Sequence, residues 1–339
     1  MPTNVVLECA RAAAPVPTGA NVTTPTQRTG DGEAFADPPP DVVARLDAVP
    51  LFSGRRLALT RLTGGLTNVN YRVDVDGRSY VARLSSPSGD LLAIDREAEY
   101  RHSVAAAAGG AAPAVAAYVP GAGVLVVDWV EGRTLTEDDV RTERNLPRIA
   151  AAARQLHAGP RFTTDFDMFV VQRRYLEVVT TRGFRLQPGY LDHLPAVDRI
   201  RAALARRPLP TVPCNNDLLP ANIIDAGDRL WLIDYEYSGN NDPCFELGNI
   251  WSESNLDVDL LEPLVTAYFG RASRSLTARA RLLGLMSKYG WTLWASIQDA
   301  VSRLDVDFWS WGTEKYDRAV AEFGGADLPR LIEEVGLDD

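Results

Sequence analysis

The hydrophobic pattern of this 339-residue chain changes its period near residue 130. Before that point apolar and polar residues alternate in runs such as LALTRL, VNYRVDV and RSYVARL, and the dipeptide Asp76-Gly77, typical of tight hairpin turns, joins the last two runs. One helical stretch, REAEYRHSVAAAA, and one continuous apolar run, GVLVVDWV, follow. The pattern predicts a small antiparallel sheet with one helix against it.

Beyond Thr134 the spacing of apolar residues becomes helical. Five segments carry it: 145–157, 190–207, 256–269, 277–304 and 314–323. Between the second and third of these, short apolar triplets flank polar turns, which is typical of two short paired strands. The predicted fold class is therefore α+β, with a small β-rich lobe and a large, mostly helical lobe.

The chain is long enough for two packed lobes. Residues 1–40 are rich in Pro, Thr, Gly and Ala and have few large apolar side chains, so we expect a disordered tail there. We expect the β-rich lobe to span residues 41–128, a hinge to span 129–133 and the helical lobe to span 134–339.

The composition excludes several classes of protein. The formal net charge of −10 argues against nucleic acid as a partner and leaves room for a cationic ligand. The only lysines are Lys288 and Lys315, so the first 287 residues offer no phosphate-loop lysine, and three scattered histidines cannot build a histidine-rich metal centre. Cys9, Cys214 and Cys244 lack metal-binding spacing, which indicates a reducing cytoplasm.

One uncharged segment, residues 104–127, is long enough to span a bilayer. Its glycines and prolines break it into a helix end, a loop and a strand. The first residues also lack the basic segment of a secretory signal. We therefore expect no membrane partner and a cytoplasmic location.

The densest polar cluster lies around the two predicted short strands. Asp217 and Asn222 flank a turn at Pro220, and Asp234 follows the strand that pairs back, so three oxygen-bearing side chains converge at one rim. Mg²⁺ prefers such carboxylate and amide oxygens. Each residue alone is also an ordinary turn former. Their spacing beside a β-rich lobe favours a magnesium site.

Two segments of this cluster, CNNDLLPANII and LIDYEYSGNNDPCFELGNIWSE, closely resemble the catalytic segments of the choline/ethanolamine kinase family. Upstream, GGLTNVNYRV resembles the loop with which that family covers the phosphates. The resemblance runs from about Leu57 to Trp311. It implies a protein-kinase-like two-lobe fold, ATP and Mg²⁺ as cofactors, and transfer of the γ-phosphoryl group to an alcohol.

The resemblance also implies catalytic roles for matching residues. Asp217 would accept or orient the proton of the substrate hydroxyl, and Asn222 and Asp234 would hold Mg²⁺. Two positions depart from the family pattern, because Asn215 replaces a histidine that braces the catalytic loop and Ala221 replaces a glycine. Ala221 is unstrained if its φ is negative and strained if its φ is positive.

The nucleotide would be held by a second set of residues. Arg83 falls where protein kinases carry a strand lysine, with Glu99 as its expected helix partner and Glu97 as the alternative; an exposed strand position is the other interpretation of Arg83. The expected nucleotide-binding residues are Thr67 and Asn68 on the Gly64-Gly65 turn, Arg83, Glu99, and Asp128 and Val130 in the connector to adenine.

Tryptophans in the helical lobe suggest how the acceptor alcohol is recognised. Trp291, Trp294 and Gln298 share one helix face, and an aromatic stripe facing the core is the alternative interpretation. In the family, a W-x-x-W pair and later aromatic residues form the choline pocket. The expected substrate-binding residues are Tyr237, Glu253, Trp291, Trp294, Phe308 and Trp311.

These observations favour an ATP-dependent kinase of a small amino alcohol, with choline or ethanolamine as the favoured acceptor. Two alternatives stay open. One is a kinase of another cationic alcohol, such as an aminoglycoside or thiamine. The other is a catalytically weak choline-binding protein, suggested by Asn215 and Ala221.

Overall fold

The computed structural model describes residues 38–63, 65–86, 89 and 91–339, and the backbone of the two-residue strand β1 (Glu33–Ala34). The remainder of the predicted tail, residues 1–32 and 35–37, and Gly64 of the predicted glycine turn lie outside the described residues. Within the predicted tail, β1 pairs antiparallel with residues 60 and 61, and a helix begins at Pro40. The predicted tail therefore includes residues that belong to the fold.

The described part of the first lobe contains one antiparallel sheet, in the order β1-β2-β3-β4-β6-β5. Its other strands are β2 (Ala58–Leu62), β3 (Asn68–Val75), β4 (Arg78–Ser85), β5 (Val115–Val119) and β6 (Val124–Asp128). The predicted hairpin joins β3 and β4, and Asp76 and Gly77 both have positive φ, at 49° and 77°. The sequence pattern missed β5, because its run VAAYV is short, alanine-rich and flanked by prolines.

Two helices flank this sheet. Helix α1 (Pro40–Asp47) packs on it through Val42 and Leu46, and α2 (Arg96–Ala108) is the predicted helix of the β-rich lobe, capped by Asp95. The segment 104–127 forms the end of α2, β5, a short turn and β6. Among the described residues, no helix is long and apolar enough to cross a membrane.

Helices dominate the second lobe. They are α3 (Glu137–Val140), α4 (Asn145–His157), α5 (Met168–Arg182), α6 (Leu194–Ala205), α7 (Pro243–Glu253), α8 (Leu261–Phe269), α9 (Arg274–Val301), α10 (Phe308–Phe323) and α11 (Asp327–Glu334). All five predicted helical segments contain a helix. The sequence pattern missed α3, α5, α7 and α11. Helix α7 shows no amphipathic period because it is buried on all sides as far as Ser252.

Five short strands complete the described part of this lobe. They are β7 (Arg133–Thr134), β8 (Val212–Cys214), β9 (Ile223–Asp225), β10 (Leu230–Leu232) and β11 (Gly239–Asn241). Strands β9 and β10 are the predicted pair of short strands, and β8 pairs with β11. The α+β fold class predicted from the sequence is confirmed.

The long helix α9 forms the centre of the second lobe. Its residues from Ala278 to Gln298 are buried, and α7 crosses it at a contact between two glycines. A Cβ atom on Gly284 would lie 2.7 Å from the carbonyl oxygen of Gly248 and 2.9 Å from the ring of Trp251. This close approach fixes α7 against α9 and so positions the loop that α7 supports.

Candidate active site

The loop after β8 is held by buried polar side chains of α7. The two carboxylate oxygens of Glu246 accept hydrogen bonds from the backbone N–H groups of Asn215 and Asn216, at 2.7 and 2.8 Å. The side-chain oxygen of Asn249 accepts one from the Leu218 N–H at 2.7 Å. Asn216 has a φ of 66°, a left-handed conformation that these contacts stabilise. The loop therefore has a defined shape.

Asn215, which replaces the family histidine, braces the loop from the other side. Its side-chain nitrogen donates to the carbonyl oxygens of Ile233 at 3.1 Å and Asp234 at 2.8 Å, and its oxygen accepts from the Asp217 N–H at 3.1 Å. Ala221 lies in a 3₁₀ turn over residues 220–222 and is not among the described residues with positive φ. Neither departure strains or loosens the loop.

The Asp217 carboxylate lines the cleft and makes no hydrogen bond or ion pair with another described side chain. Burial raises its pKa well above the usual range, and the nearby carboxylates of Glu253, Asp234 and Glu236 raise it further. Lys315 acts in the opposite direction. A carboxylate with a raised pKa accepts a proton more readily than an exposed one.

Asn222 and Asp234 meet beside Asp217, as predicted. The Asn222 nitrogen donates to the Asp217 carbonyl oxygen at 2.8 Å, which leaves its amide oxygen as a ligand atom. Asp234 has a φ of 63°; one of its carboxylate oxygens contacts Arg83, and the other, Oδ1, is buried without a hydrogen-bond partner in the described structure. An unpartnered buried carboxylate oxygen and an amide oxygen, on two residues that line the same cleft, fit a divalent cation.

Arg83 is largely buried at the centre of an ion-pair network between the lobes. It contacts Glu99 on α2 at 2.5 Å, the predicted partner, and Asp234 in the second lobe. Burial opposes the charge of Arg83, yet the surrounding carboxylates hold its pKa well above the usual value. Glu97, the alternative partner, pairs with Arg101 on an exposed part of α2 instead. The exposed-strand interpretation of Arg83 is therefore wrong.

Thr67 and Asn68, expected above the phosphates, contact the second lobe. The Glu236 carboxylate accepts from the Thr67 hydroxyl at 2.7 Å and from the Asn68 amide at 2.8 Å, and it pairs with Arg96 at 3.2 Å. Burial and Asp234 raise the pKa of Glu236 to about 7. These bonds hold the turn close to the cleft.

Two further contacts shape the turn. A Cβ atom on Gly65 would lie 2.5 Å from the Asn68 carbonyl oxygen, so the backbone can only approach this closely at a glycine. The Gln298 amide on α9 donates to the Leu66 carbonyl oxygen at 3.0 Å. The helix that carries the tryptophan pair is therefore in direct contact with the turn.

The predicted connector lies at the other end of the cleft. Asp128 and Val130 both line it. The Asp128 N–H donates to the Ala114 carbonyl oxygen at 2.9 Å, so its backbone can offer a ligand only its carbonyl. The Val130 N–H donates to no acceptor in the described part of the chain. A carbonyl and an N–H two residues apart match the edge of an adenine ring.

The predicted aromatic residues form one contiguous group. Tyr237 packs edge-on against Trp291 with ring centroids 4.9 Å apart, and its hydroxyl accepts a 2.8 Å hydrogen bond from Trp294 Nε1. Trp294 contacts Trp311 at 5.4 Å and Phe308 at 5.7 Å. The aromatic stripe is thus both core and pocket wall, since these rings are largely buried but four of them line the cleft.

One continuous cavity runs from the connector at Asp128 and Val130 to the aromatic group around Trp294. Of the predicted site residues, those that line it are Thr67, Arg83, Glu99, Asp128, Val130, Asp217, Asn222, Asp234, Tyr237, Glu253, Trp291, Trp294 and Trp311. Two predicted residues do not line it. Asn68 turns to Glu236, and Phe308 packs behind Trp294. For Phe308 the structure places the ring in support of Trp294.

Several residues around the cavity received no role from the sequence. Glu246, Gln298 and Lys315 are the main examples. Lys315 Nζ pairs with Glu253 at 2.6 Å and lies 4.3 Å from the centre of the Trp311 ring. The sequence signal that could have identified Lys315 is its position four residues after Trp311 on the same helix.

The model of the phosphotransferase enzyme family matches residues 58–283, more than half of the chain. The crystal structure of a choline/ethanolamine kinase family protein from Mesorhizobium loti has 31% sequence identity and a TM-score of 0.77, and the match covers 88% of this chain and 99% of that one. The chain belongs to the choline/ethanolamine kinase family. It is therefore a small-molecule kinase of a family that uses ATP, and the predicted kinase-like fold is confirmed.

Two other proteins that resemble this chain support its assignment to the choline/ethanolamine kinase family. Protein LicA of Haemophilus influenzae is 26% identical over 268 residues, which cover 72% of this chain and 77% of that protein. Ethanolamine kinase 2 of Mus musculus is 28% identical over 306 residues, which cover 79% of this chain and 77% of that protein.

Proposed function

We propose that this kinase transfers the γ-phosphoryl group of ATP to the hydroxyl of a small amino alcohol, choline or ethanolamine. The observation that carries the proposal is the continuous cavity. It runs from the connector at Val130, past Arg83 and Asp217, to the aromatic wall at Trp291. A nucleotide and a small cationic alcohol would therefore meet at Asp217.

Asp217 is the proposed proton acceptor. The hydroxyl oxygen of the acceptor attacks the γ-phosphorus, the bond from that phosphorus to the β,γ-bridging oxygen breaks, and ADP leaves. The hydroxyl proton passes to Asp217, whose raised pKa suits this role. The hydrogen bonds that shape the loop after β8 hold the Asp217 carboxylate in place. In phosphoryl transfer the protein contributes mainly by positioning the reacting groups.

Asn222 and Asp234 are the proposed ligands of Mg²⁺. The unpartnered oxygen of Asp234 supports this assignment, because a buried carboxylate oxygen without a donor is costly unless a cation binds it. When bound, Mg²⁺ neutralises charge on the phosphates. Arg83 has two carboxylate partners here and is placed to turn part of its guanidinium to a phosphate.

The remaining proposed contacts position the nucleotide and the acceptor. Thr67 and the adjacent backbone would cover the phosphates, and the Asp128 carbonyl and Val130 N–H would bind adenine. Glu253 and the rings of Tyr237, Trp291, Trp294 and Trp311 would surround the ammonium group. Each ring face contributes about 0.5–2 kcal/mol to the binding of a desolvated cation.

No observation favours the two alternative functions over this one. A catalytically weak binding protein was suggested by Asn215 and Ala221, but Asn215 is fully hydrogen-bonded and Ala221 lacks a strained backbone. A large polyamine acceptor such as an aminoglycoside would call for a wide acidic groove, whereas this end of the cavity has aromatic walls.

The test is ADP release on a panel of choline, ethanolamine and methylated intermediates, with thiamine and an aminoglycoside as comparison substrates. We expect turnover with at least one amino alcohol, and a loss of at least a hundredfold in kcat for Asp217→Ala. Turnover confined to thiamine or the aminoglycoside, or no turnover at all by a correctly folded wild-type protein, would refute the proposed acceptor.

A further inference from the structure

The chain's own cation already sits in the part of the cavity proposed for the substrate ammonium. Lys315 Nζ lies 2.6 Å from Glu253 Oε2 and 4.3 Å from the centre of the Trp311 ring. Both side chains of this ion pair are largely buried, and both residues line the cavity. Lys315 thus occupies two of the groups that would recognise a cation, a carboxylate and a ring face.

The position of Lys315 affects the binding of quaternary and primary ammonium groups differently. A quaternary ammonium has no N–H to donate, so it depends on ring faces and on an uncompensated negative charge nearby. A primary ammonium can donate a hydrogen bond to a carboxylate oxygen. Glu253 Oε1 retains acceptor capacity for that purpose, because among the described residues it accepts a hydrogen bond only from the Ser252 hydroxyl, at 3.3 Å.

We propose that Lys315 is a specificity-determining residue that disfavours a quaternary ammonium relative to a primary ammonium at the Glu253–Trp311 subsite. The inference rests on the proposed function. A trimethylated substrate must displace Lys315 from Trp311 and from Glu253, at the cost of a buried ion pair. A primary ammonium binds Glu253 while Lys315 remains in place.

The other lysine provides a matched control. Lys288 Nζ lies 4.1 Å from the centre of the Trp251 ring, so it too is a buried lysine over a tryptophan face. It is not among the residues that line the cavity. Removing its charge changes the same residue type in the same lobe without clearing the subsite.

The experiment measures the dissociation constants of choline and ethanolamine by calorimetry on the full-length chain. The proteins are wild type, Lys315→Ala and Lys288→Ala. We expect Lys315→Ala to lower the ratio of the choline constant to the ethanolamine constant at least tenfold, and Lys288→Ala to leave it within twofold. An unchanged ratio in Lys315→Ala would overturn the inference and leave the proposed function intact.

Lys315→Ala leaves the Glu253 carboxylate buried without its cation, which could unfold the protein. A second variant tests the inference in that case. The double variant Lys315→Ala/Glu253→Gln removes both charges and leaves the Trp311 face open. We expect its ratio to fall below that of wild type, because the ring face alone favours the quaternary group. A ratio equal to wild type in the folded double variant would overturn the inference. Absence of binding of either amino alcohol to wild type and to both variants would refute the proposed acceptor as well.

Discussion

The side-chain amide of Asn215 donates a 2.8 Å hydrogen bond to the carbonyl oxygen of Asp234. This bond joins the loop that carries Asp217 to the segment that carries the proposed metal ligand. It links the two sides of the proposed reaction centre and involves neither the Asp217 nor the Asp234 carboxylate. An asparagine therefore provides, in this chain, the bracing that the family obtains from a histidine.

We predict that Asn215→Asp lowers both stability and turnover. The carboxylate keeps the size of the side chain but loses two donors to the carbonyl oxygens of Ile233 and Asp234. Two buried acceptors without donors cost about 1–3 kcal/mol each. We expect a lower melting temperature and a kcat reduced at least tenfold, measured by thermal denaturation and ADP release. Wild-type kcat in Asn215→Asp would contradict the bracing role.

Arg83→Met and Arg83→Lys form a graded pair of variants. Methionine leaves Asp234 without its cation and Glu99 with only Arg96, and removing one partner of a buried ion pair costs about 3–5 kcal/mol. Lysine keeps the charge but cannot fork to two carboxylates. We expect the free energy of unfolding to fall from wild type to Arg83→Lys to Arg83→Met. We expect the KM for ATP to rise in the same order. Equal KM values in all three proteins would rule out a nucleotide-binding role for Arg83.

Stability depends on pH through His102, which joins α2 to the second lobe. Its Nδ1–H donates to the Ser238 carbonyl oxygen at 3.1 Å, and its Nε2 accepts from the Thr163 N–H at 3.1 Å, so the folded protein needs the neutral ring. Burial lowers the pKa of His102 in the folded state. Below the unfolded pKa near 6.5, His102 binds a proton in the unfolded chain but stays neutral in the folded chain. Stability is therefore lost as the pH falls.

The measurement compares urea unfolding of wild type and His102→Gln at pH 7.5 and pH 5.5. We expect the wild type to lose up to about 1.4 kcal/mol more than the variant. One group contributes at most that amount per pH unit, and only one unit of this interval lies below the unfolded pKa near 6.5. A variant with the same pH dependence as wild type would show that other groups account for it.

Gly284→Ala tests the helix crossing that supports the loop. The new methyl group would lie 2.7 Å from the Gly248 carbonyl oxygen, which forces α7 and α9 apart. Overpacking of this kind costs about 1–3 kcal/mol. Gly324→Ala is the control, because a Cβ atom there would meet only the Val320 carbonyl oxygen at 3.7 Å. We expect a lower melting temperature for Gly284→Ala alone; equal melting temperatures would contradict the packing argument.

The sequence alone was sufficient for the class of fold and for the expected reaction centre. Alternation around Asp76-Gly77 and the helical spacing of segments such as 145–157 are local patterns, and local patterns report the element in which a residue lies. The motif residues Asp217, Asn222 and Asp234 could be found because their spacing along the chain is short. Arg83 and Glu99 could be paired because the resemblance to the choline/ethanolamine kinase family implies that pair.

The tertiary structure decided what depends on contacts between distant segments. Helix α7 was missed because complete burial removes the amphipathic period. The bonds from Thr67 and Asn68 to Glu236, and from Gln298 to Leu66, join residues more than 160 positions apart, and no local spacing encodes them. The pairing of Lys315 with Glu253 likewise requires α10 to pack beside the end of α7. Side-chain chemistry determined which groups could form a kinase site, and the packing of the helices decided which of them line the cavity.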